Sequence, residues 1–178
     1  PFSNIYGAYL KRSGTGELVV EKEIPVYTGN HFQEDPSITY NGNSGQFAVT
    51  WIDIEEERDS ICGVLVNDAG PVSQEEAKLI AGEPDDSAEQ YYYLSTVYNP
   101  VLPDGYFSVW FRLFYQDEES SFGAGQQSNN SLVPSGSSYD FGDNIYNAFD
   151  PKLDAACNTN EGNYLVAYPC IHRYPVEY

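Results

Sequence analysis

The fold of this chain is decided by one seven-residue stretch, Gly45-Gln46-Phe47-Ala48-Val49-Thr50-Trp51, and by its two recurrences. These are Gly105-Tyr106-Phe107-Ser108-Val109-Trp110-Phe111 and Gly162-Asn163-Tyr164-Leu165-Val166-Ala167-Tyr168, at spacings of 60 and then 57 residues. Side chains along a β-strand alternate between its two faces, so the aromatic, valine and aromatic positions of each copy share a face. We predict three strands that bury Phe47, Val49, Trp51, Phe107, Val109, Phe111, Tyr164, Val166 and Tyr168.

Two further features keep step with this stretch. A short apolar piece precedes each copy, at residues 38–41, 96–99 and 147–150. A glycine that follows an aromatic residue or a cysteine recurs at Gly7, Gly63 and Gly123. Self-similarity at a fixed period is the signature of a repeat protein. We therefore predict an all-β fold of three four-stranded antiparallel units of about 58 residues, β-propeller-like, with strands A, B, C and D in order.

Strand D has the faintest pattern of the four. We place it at residues 18–26, 77–81 and 137–141. One of these segments has an alternative, because Ser73-Gln74-Glu75-Glu76 matches a helix capping box and Gly82 could end a short helix. The repeat register favours a strand at residues 77–81 over a helix at residues 73–81.

The register splits one unit between the two ends of the chain. Residues 1–30 carry its strands C and D, and residues 144–178 carry its strands A and B, with a lengthened A–B connection around Cys157. Residues 31–84 form the second unit, and residues 85–143 form a divergent third unit. The two halves can pair with each other within one chain, or each half can pair with a neighbouring chain. Pairing between chains gives a ring if it closes and an open filament if it does not. A piece of a longer repeat protein is the remaining interpretation.

Several segments resemble a known repeat. The run Asp35-Pro36-Ser37-Ile38-Thr39-Tyr40-Asn41, the stretch that follows it, and the runs Ile5-Tyr6-Gly7 and Ile61-Cys62-Gly63 carry the likeness. They resemble the blade-like tandem repeat of secreted and cell-surface proteins of bacteria and archaea. The resemblance implies four-stranded blades of the kind that build β-propellers. It points to a fold element and to no particular activity.

The charge balance excludes one class of partner and favours one location. The chain has 27 Asp and Glu against 8 Lys and Arg, a formal net charge of −19, which argues against binding nucleic acid through a basic face. No apolar run reaches the ~20 residues of a membrane-spanning helix. The chain lacks methionine and starts at Pro1, as expected after removal of a signal peptide, which favours an extracellular or cell-surface location.

The repeat register gathers 16 of the 27 acidic residues at one end of the units. Crowded carboxylates repel one another, and Ca²⁺, which takes oxygen ligands, relieves that repulsion. The candidate calcium rim comprises Asp53, Glu55, Asp59, Asp85, Asp86 and Asp117. The alternative is a solvated, solubilising rim without metal. No EF-hand spacing marks a specific calcium loop.

The sequence has no signature of a catalytic site, so we expect a protein that is not an enzyme. Its two histidines, His31 and His172, lie far apart in sequence, and it has no nucleophile elbow, phosphate loop or Cys-x-x-Cys. Propeller glycosidases use paired carboxylates, for which Asp35 and Asp150 are the first candidates. Sugar rings stack on exposed aromatic side chains, and the candidate glycan platform comprises Tyr91, Tyr92, Trp110 and Tyr115.

The cysteines and one asparagine are candidates for covalent modification. Cys157 and Cys170 are the pair closest in sequence and the candidate disulfide, which leaves Cys62 over. The alternatives are three buried, reduced cysteines or a zinc site formed by Cys157, Cys170 and His172. Asn129 begins the one Asn-x-Ser triplet and is the candidate glycosylation site.

These observations predict a secreted or cell-surface structural protein, the subunit of a head-to-tail assembly held by strand pairing between chains. The expected assembly is an extracellular filament, the partner is a second copy of the chain, and residues 171–178 serve as a docking segment. No cofactor is expected apart from the candidate Ca²⁺. The alternative is a carbohydrate-binding, lectin-like β-propeller that recognises glycans. A propeller-type glycoside hydrolase is the third interpretation.

Overall fold

The computed structural model describes residues 3–55, 58–72, 77–82, 89–102, 105–114, 121–141 and 153–168. Thirteen β-strands and no helix occur in these ranges, which confirms the all-β prediction. The strands are rich in valine, isoleucine, threonine and aromatic residues, which fit a pleated and half-buried surface. Within the same ranges, no helix is long and apolar enough to cross a membrane.

The strands form two hairpins and two larger sheets, and all pairings are antiparallel. The first hairpin consists of β1 (Ile5–Arg12) and β2 (Leu18–Tyr27). The second sheet consists of β3 (Phe32–Asn41), β4 (Gln46–Glu55), β5 (Arg58–Asn67), β6 (Gly70–Pro71) and β7 (Lys78–Ala81). The third sheet consists of β8 (Glu89–Tyr98), β9 (Tyr106–Phe114), β10 (Ser121–Ser128) and β11 (Tyr139–Phe141). The last hairpin consists of β12 (Asp154–Asn158) and β13 (Asn163–Ala167).

Three hydrophobic cores separate these four layers, which stack in chain order. The first core lies between the first hairpin and the second sheet and contains Ile5, Ile24, Val26, Val49, Trp51, Val64 and Val66. The second lies between the second and third sheets and contains Ala48, Ile52, Ile61, Ile80, Tyr91, Leu94, Tyr106, Trp110, Ala124 and Leu132. The third contains Phe107, Val109, Phe111 and Leu153, with Tyr164 and Val166 of the last hairpin packed against them. Each larger sheet therefore packs against a neighbouring layer on both faces, although β3 stays exposed on one side, and each hairpin packs on one face.

An asparagine starts the turn after the first strand in three of the layers. The Oδ1 atom of Asn41 accepts from the backbone N of Asn43 at 3.0 Å. The same bond recurs at Asn99, which accepts from Val101 at 3.0 Å, and at Asn158, which accepts from Asn160 at 3.0 Å. These Asx turns mark the same place in each layer. We call residues equivalent when the turns and strand pairings place them at the same position in different layers.

The strand pairing aligns the recurring stretch differently from the prediction. Phe47 lies opposite Tyr40, whereas Tyr106 and not Phe107 lies opposite Tyr98. Five residues separate Asn99 from its partner Gly105, whereas four separate Asn41 from its partner Gln46, so Gly105 takes the place of Gln46. A one-residue shift moves every side chain of a strand to the other face.

Phe107, Val109 and Phe111 share one buried face of β9, as predicted, but their predicted alignment with Phe47, Val49 and Trp51 is wrong. The residues equivalent to Phe47, Val49 and Trp51 are Tyr106, Ser108 and Trp110 in β9, and Tyr164, Val166 and Tyr168 in the last hairpin. The predicted residues Phe107, Val109 and Phe111 are buried, but they face the last hairpin instead of the second sheet. The same shift applies to the neighbouring strands. Cys62 lies opposite Trp51 and Ala124 lies opposite Trp110, so Cys62 is equivalent to Ala124 and not to Phe122.

The predicted connection around Cys157 is also wrong. Cys157 lies within β12, opposite Tyr164, and residues 159–162 form the short turn to β13. The predicted strand at residues 147–150 lies outside the described residues. β7 shows that residues 78–81 are a strand and not part of a helix, while residues 73–76 lie outside the described residues. Strands also occur at the other two positions predicted for strand D, as β2 and β11.

Candidate functional site

In the described part of the chain, β1 and β13 each have an open edge where their counterparts in the two larger sheets are paired with a further strand. In the second and third sheets, β4 pairs with β5 and β9 pairs with β10. In the hairpins, β13 pairs with β12 and β1 pairs with β2, and among the described strands no third one lies beside β13 or β1. An open edge presents unpaired backbone N–H and C=O groups that can pair with another strand. β13 is equivalent to β4 and β9, and β1 is equivalent to β5 and β10, so the two open edges are of complementary types.

An apolar groove of about 430 Å³ runs beside the open edge of β1. Residues 5–10 of β1 form one wall, and Ile38, Phe47, Val49 and Val66 of the second sheet contribute to the other. The groove lies where the first two strands of a complete layer would lie, between the edge of β1 and the exposed side of β3. Its lining is therefore the surface that a further pair of strands would cover.

Two side chains of β3 are exposed on the side of the second sheet that faces the groove. Ile38 and Tyr40 are 65% and 54% exposed. Their equivalents in β8 are Thr96, which is 3% exposed, and Tyr98, which packs against the second core. The second sheet covers β8, whereas no described residue covers this side of β3. Ile38 lines the groove and Tyr40 contacts the groove residue Phe47, and a contiguous exposed apolar surface of this kind is typical of an interaction site.

The opposite end of the stack shows the reciprocal feature. Leu165 in β13 is 71% exposed, although its equivalents Ala48 and Phe107 are 0% and 8% exposed. Ala48 is covered by the third sheet, and Phe107 is covered by the last hairpin. The outward face of the last hairpin therefore exposes Leu165 at a position that is buried in both larger sheets.

Neighbouring layers are joined by a recurring hydrogen bond between their first strands. The Oγ atom of Ser37 accepts from the backbone N of Thr96 at 2.9 Å, and the Oγ atom of Ser95 accepts from the backbone N of Ala155 at 3.2 Å. Ser37 and Ser95 are equivalent, as are Thr96 and Ala155. The side-chain hydroxyl of one layer thus satisfies an edge N–H of the next, which would otherwise need water.

The turn asparagines join the layers in a second way. The Nδ2 atom of Asn41 donates to the hydroxyl of Tyr106 at 3.0 Å, and that of Asn99 donates to the carbonyl O of Gly162 at 2.9 Å. Asn41 and Asn99 are 1% and 0% exposed. Their equivalent in the last hairpin, Asn158, is exposed. Each buried asparagine therefore uses Oδ1 for its own turn and Nδ2 for the next layer.

The described members of the predicted calcium rim do not converge on one point. Asp53 is 7% exposed, and its Oδ1 lies 3.1 Å from Nδ1 of His31, while Oε1 of Glu55 lies 3.6 Å from Nε2 of the same ring. Asp59 accepts from the backbone N of Tyr91 at 2.8 Å, and burial raises the pKa of its carboxyl. Among the described residues, no group of three or more His, Cys, Asp or Glu side chains could hold a metal ion. The remaining members, Asp85, Asp86 and Asp117, lie outside those residues.

The sequence did not predict that His31 contacts Asp53 and Glu55. It follows β2 and lies 22 residues before Asp53, with no motif around it. Its position depends on the pairing of β3 with β4, which sets Gln33 opposite Asp53. Only the register of that pair brings the ring between the two carboxylates.

The predicted aromatic platform is not assembled on the surface. Tyr91 and Trp110 are 5% and 2% exposed, and their rings pack in the second core with centroids 5.8 Å apart. Tyr92 packs against the third core, on the other face of β8. Tyr115 lies outside the described residues. The rings that can be located are therefore part of the protein interior.

The other predicted sites are placed only in part. Asn129 lies in a turn and accepts through Oδ1 from the backbone N of Ser131 at 2.9 Å, and its glycosylation stays a prediction. Cys170, His172 and residues 171–178 lie outside the described residues, so the disulfide with Cys157, the zinc alternative and the docking segment stay predictions. Of the two candidate glycosidase carboxylates, Asp35 accepts from the backbone N of Tyr93 at 2.9 Å, and Asp150 lies outside the described residues.

Comparison of the chain with protein-family models, with curated proteins and with solved structures returned no match.

Proposed function

We propose that this chain is a secreted or cell-surface structural protein that assembles head to tail by strand pairing between copies. The observation that carries the proposal is the pair of complementary open edges, on β1 and on β13, at opposite ends of the stack of layers. Each edge is accompanied by apolar side chains that the equivalent positions bury. A contact between different surfaces at opposite ends propagates from copy to copy, which gives a filament unless the rotation closes a ring.

The layers support a description as propeller-like repeat units. Asn41, Asn99 and Asn158 begin equivalent turns, and Trp51 and Trp110 occupy equivalent positions in β4 and β9. In this description the second and third sheets are complete four-stranded units. The first hairpin supplies the last two strands of a unit, and the last hairpin supplies the first two. One copy's last hairpin and the next copy's first hairpin then form a complete unit.

The strong acidity suits an assembly outside the cell. A net charge of −19 keeps single copies apart in solution through long-range repulsion. Salt and divalent cations screen that repulsion, so they favour association through the apolar edges. Assembly driven in this way occurs when a secreted chain meets an ionic medium.

Solution mass and negative-stain electron microscopy test the proposal directly. The purified chain is measured over a series of protein concentrations, with calcium and with a chelator. We expect a mass that rises with concentration and filaments of uniform width. A chain that stays monomeric at every concentration and in every ionic condition overturns the proposal, and compact rings overturn the filament.

A further inference from the structure

We propose that the apolar groove beside β1 receives the last hairpin of a second copy of this chain, with β13 antiparallel to β1 and Val166 opposite Ala8. This inference rests on the proposed function and specifies its interface. The second copy is the occupant because the first and last hairpins of one chain lie at opposite ends of the stack. The second and third sheets separate them, so the chain's own last hairpin does not reach the groove.

The register follows from the two pairings of the same type inside the molecule. Thr50 lies opposite Gly63 in the pairing of β4 with β5, and Val109 lies opposite Gly125 in the pairing of β9 with β10. A Cβ atom at Gly63 would come within 3.0 Å of Thr50 Cγ2, and one at Gly125 within 3.2 Å of Val109 Cγ1. The opposing residue therefore occupies the space that the glycine leaves free.

β1 carries the same glycine. Its residues Ile5 and Gly7 repeat Ile61 and Gly63 of β5, and Ile5 and Ile61 are both buried on the side that faces the following sheet. The residue of β13 that is equivalent to Thr50 and Val109 is Ala167. Ala167 is therefore placed opposite Gly7, and Val166 is placed opposite Ala8.

This register covers the exposed side chains of the groove. Leu165 takes the position of Ala48, which shares the second core with Tyr106 and with Tyr98, packed against that core. On the second sheet the equivalents of those two rings are Tyr40 and Phe47, whose centroids lie 4.9 Å apart. Leu165 of the incoming hairpin therefore packs on that pair of rings. The contact buries side chains that are 71% and 54% exposed in the single chain, those of Leu165 and Tyr40.

The outer face of the first hairpin is covered by the same step. Tyr6 and Leu10 are 67% and 56% exposed, whereas their equivalents in β5 are Cys62, which packs against the first core, and Val66, which is 3% exposed. When the last hairpin of the second copy pairs with the first hairpin of the receiving copy, the third sheet of the second copy packs against this outer face. Tyr6 and Leu10 then meet the third sheet of the second copy.

The polar groups at the tip of the hairpin also match. Asn99 donates to the carbonyl O of Gly162 in the next layer, and Gly45 is equivalent to Gly162. In the complex, Nδ2 of the exposed Asn158 donates to the carbonyl O of Gly45 of the receiving copy.

The two hairpins also differ in charge. The last hairpin has Asp154 and Glu161 and no Lys or Arg within residues 153–168. The first hairpin carries three of the eight basic residues of the chain, Lys11, Arg12 and Lys22.

Disulfide trapping between two differently substituted proteins tests the register. Both proteins carry Cys157→Ala and Cys170→Ala; one adds Ala8→Cys and the other adds Val166→Cys. The expected result is a linked heterodimer after mild oxidation, because opposite residues of paired strands bring their Cα atoms within disulfide range. The matched control replaces Ala8→Cys by Arg12→Cys, which lies four residues along β1 and outside that range. The shared parent, which carries Cys157→Ala and Cys170→Ala and no added cysteine, gives the background.

The outcomes separate the interface from the proposed function. Linking of the Ala8 and Val166 pair, with background linking of the Arg12 and Val166 pair, supports the inference. If solution mass shows association but the Ala8 pair does not link, or the Arg12 pair links better, the register is overturned while assembly stands. If solution mass shows no association of the unsubstituted chain at any concentration, the proposed function fails and this inference fails with it.

A surface substitution gives an independent readout. Leu165→Glu should abolish association and leave the thermal midpoint of the single chain unchanged, because the side chain is exposed there. The matched control is Leu79→Glu in β7, where the leucine is 55% exposed on a strand that pairs with β5 and with neither β1 nor β13. Equal association of the two variants overturns the inference.

Discussion

Asp35 and Tyr93 are joined by a hydrogen bond from the backbone N of Tyr93 to Oδ2 of Asp35, at 2.9 Å. Both residues have left-handed backbone conformations, with φ of 47° and 56°. Both also lie at β-bulges, one between Glu34 and Ser37 in β3 and one between Tyr92 and Ser95 in β8. Two equivalent bulges in neighbouring layers are thus hydrogen-bonded to each other. This bond fixes the position of β8 relative to β3.

Replacing Asp35 by alanine should lower the free energy of unfolding by about 1–2 kcal/mol, because the acceptor is lost and alanine tolerates the left-handed conformation poorly. Asp35→Asn is the matched control, since asparagine keeps an acceptor oxygen and adopts this conformation readily. Urea denaturation of the three proteins measures the difference. Equal destabilisation by both substitutions would mean that the charge of Asp35, and not its hydrogen bond, stabilises the fold.

Thr96→Val should cost about 1–3 kcal/mol, although the two side chains have nearly the same shape. The Oγ1 atom of Thr96 lies 2.7 Å from that of Thr50 and 2.8 Å from Oγ of Ser108, and all three residues are at most 3% exposed. Removing the central hydroxyl leaves two buried hydroxyls without this partner. Unfolding free energies of the wild type and the variant measure the cost.

The control for that prediction removes the whole network. The triple variant Thr50→Val, Thr96→Val, Ser108→Ala leaves no hydroxyl unpaired, so it should recover most of the stability that Thr96→Val loses. A triple variant that is as unstable as the sum of the three single variants would contradict the prediction. It would show that each hydroxyl acts through a separate contact.

The all-β class could be predicted from the sequence because period-two alternation is a local property. The Gly-x-aromatic stretches do form β4, β9 and β13. Register could not be predicted, because it depends on the length of a turn. Gly105 takes the place of Gln46, and this single residue moves Phe107 to the opposite face of β9. The sequence pattern aligns Phe47 with Phe107, whereas the strand pairing makes Phe47 equivalent to Tyr106.

The split unit was predicted from the sequence, but the exposed apolar surface beside β1 was not, for a related reason. Ile38 and Thr96 occupy equivalent positions and look like ordinary strand residues, yet one is exposed and the other is buried. The difference comes from which layer lies beside each, and a pattern within one strand does not contain that information. The predicted glycan platform failed in the same way, because the burial of Tyr91 and Trp110 is decided by the second sheet.

Gly63→Val should destabilise the chain by about 2 kcal/mol or more through overpacking. A Cβ atom at this position would lie 3.0 Å from both Ile80 Cδ1 and Thr50 Cγ2, and 3.2 Å from Leu132 Cδ1. Ile80 and Leu132 belong to the second core and cannot move without disturbing the contact between the two larger sheets. The matched control is Gly14→Val, since no atom lies within 4 Å of a Cβ there. Thermal denaturation should show a large shift for the first variant and little for the second; equal shifts would contradict the packing argument.

Asn99→Asp should destabilise the chain much more than Asn158→Asp. The substitution keeps the oxygen that accepts from Val101 but removes the Nδ2 donor to Gly162, and it places a carboxylate at a position that is 0% exposed. Burying a charge without a partner costs several kcal/mol, or the carboxyl becomes protonated instead. Asn158 makes the equivalent turn but is exposed, so its variant tests the turn alone. Similar unfolding free energies for the two variants would show that the donor to the next layer is unimportant.

Burial raises the pKa of the Cys62 thiol from 9.0 to about 11. Below pH 9.0 the thiol is protonated in both the folded and the unfolded chain, so it adds no pH dependence. Between pH 9.0 and about 11 the unfolded chain loses this proton first, which stabilises the unfolded state. The free energy of unfolding should therefore fall by at most about 1.4 kcal/mol per pH unit from this group.

Cys62→Ala isolates that contribution, because every other titrating group stays in place. The variant should be less stable than the wild type near neutral pH, since it leaves a small cavity in the first core. Its disadvantage should shrink as the pH rises from 9.0 to about 11, because the wild type alone pays the cost of keeping this thiol protonated. Denaturant titrations of both proteins across that range measure the difference. Two curves that stay parallel would show that the Cys62 thiol ionises as readily in the folded chain as in the unfolded one.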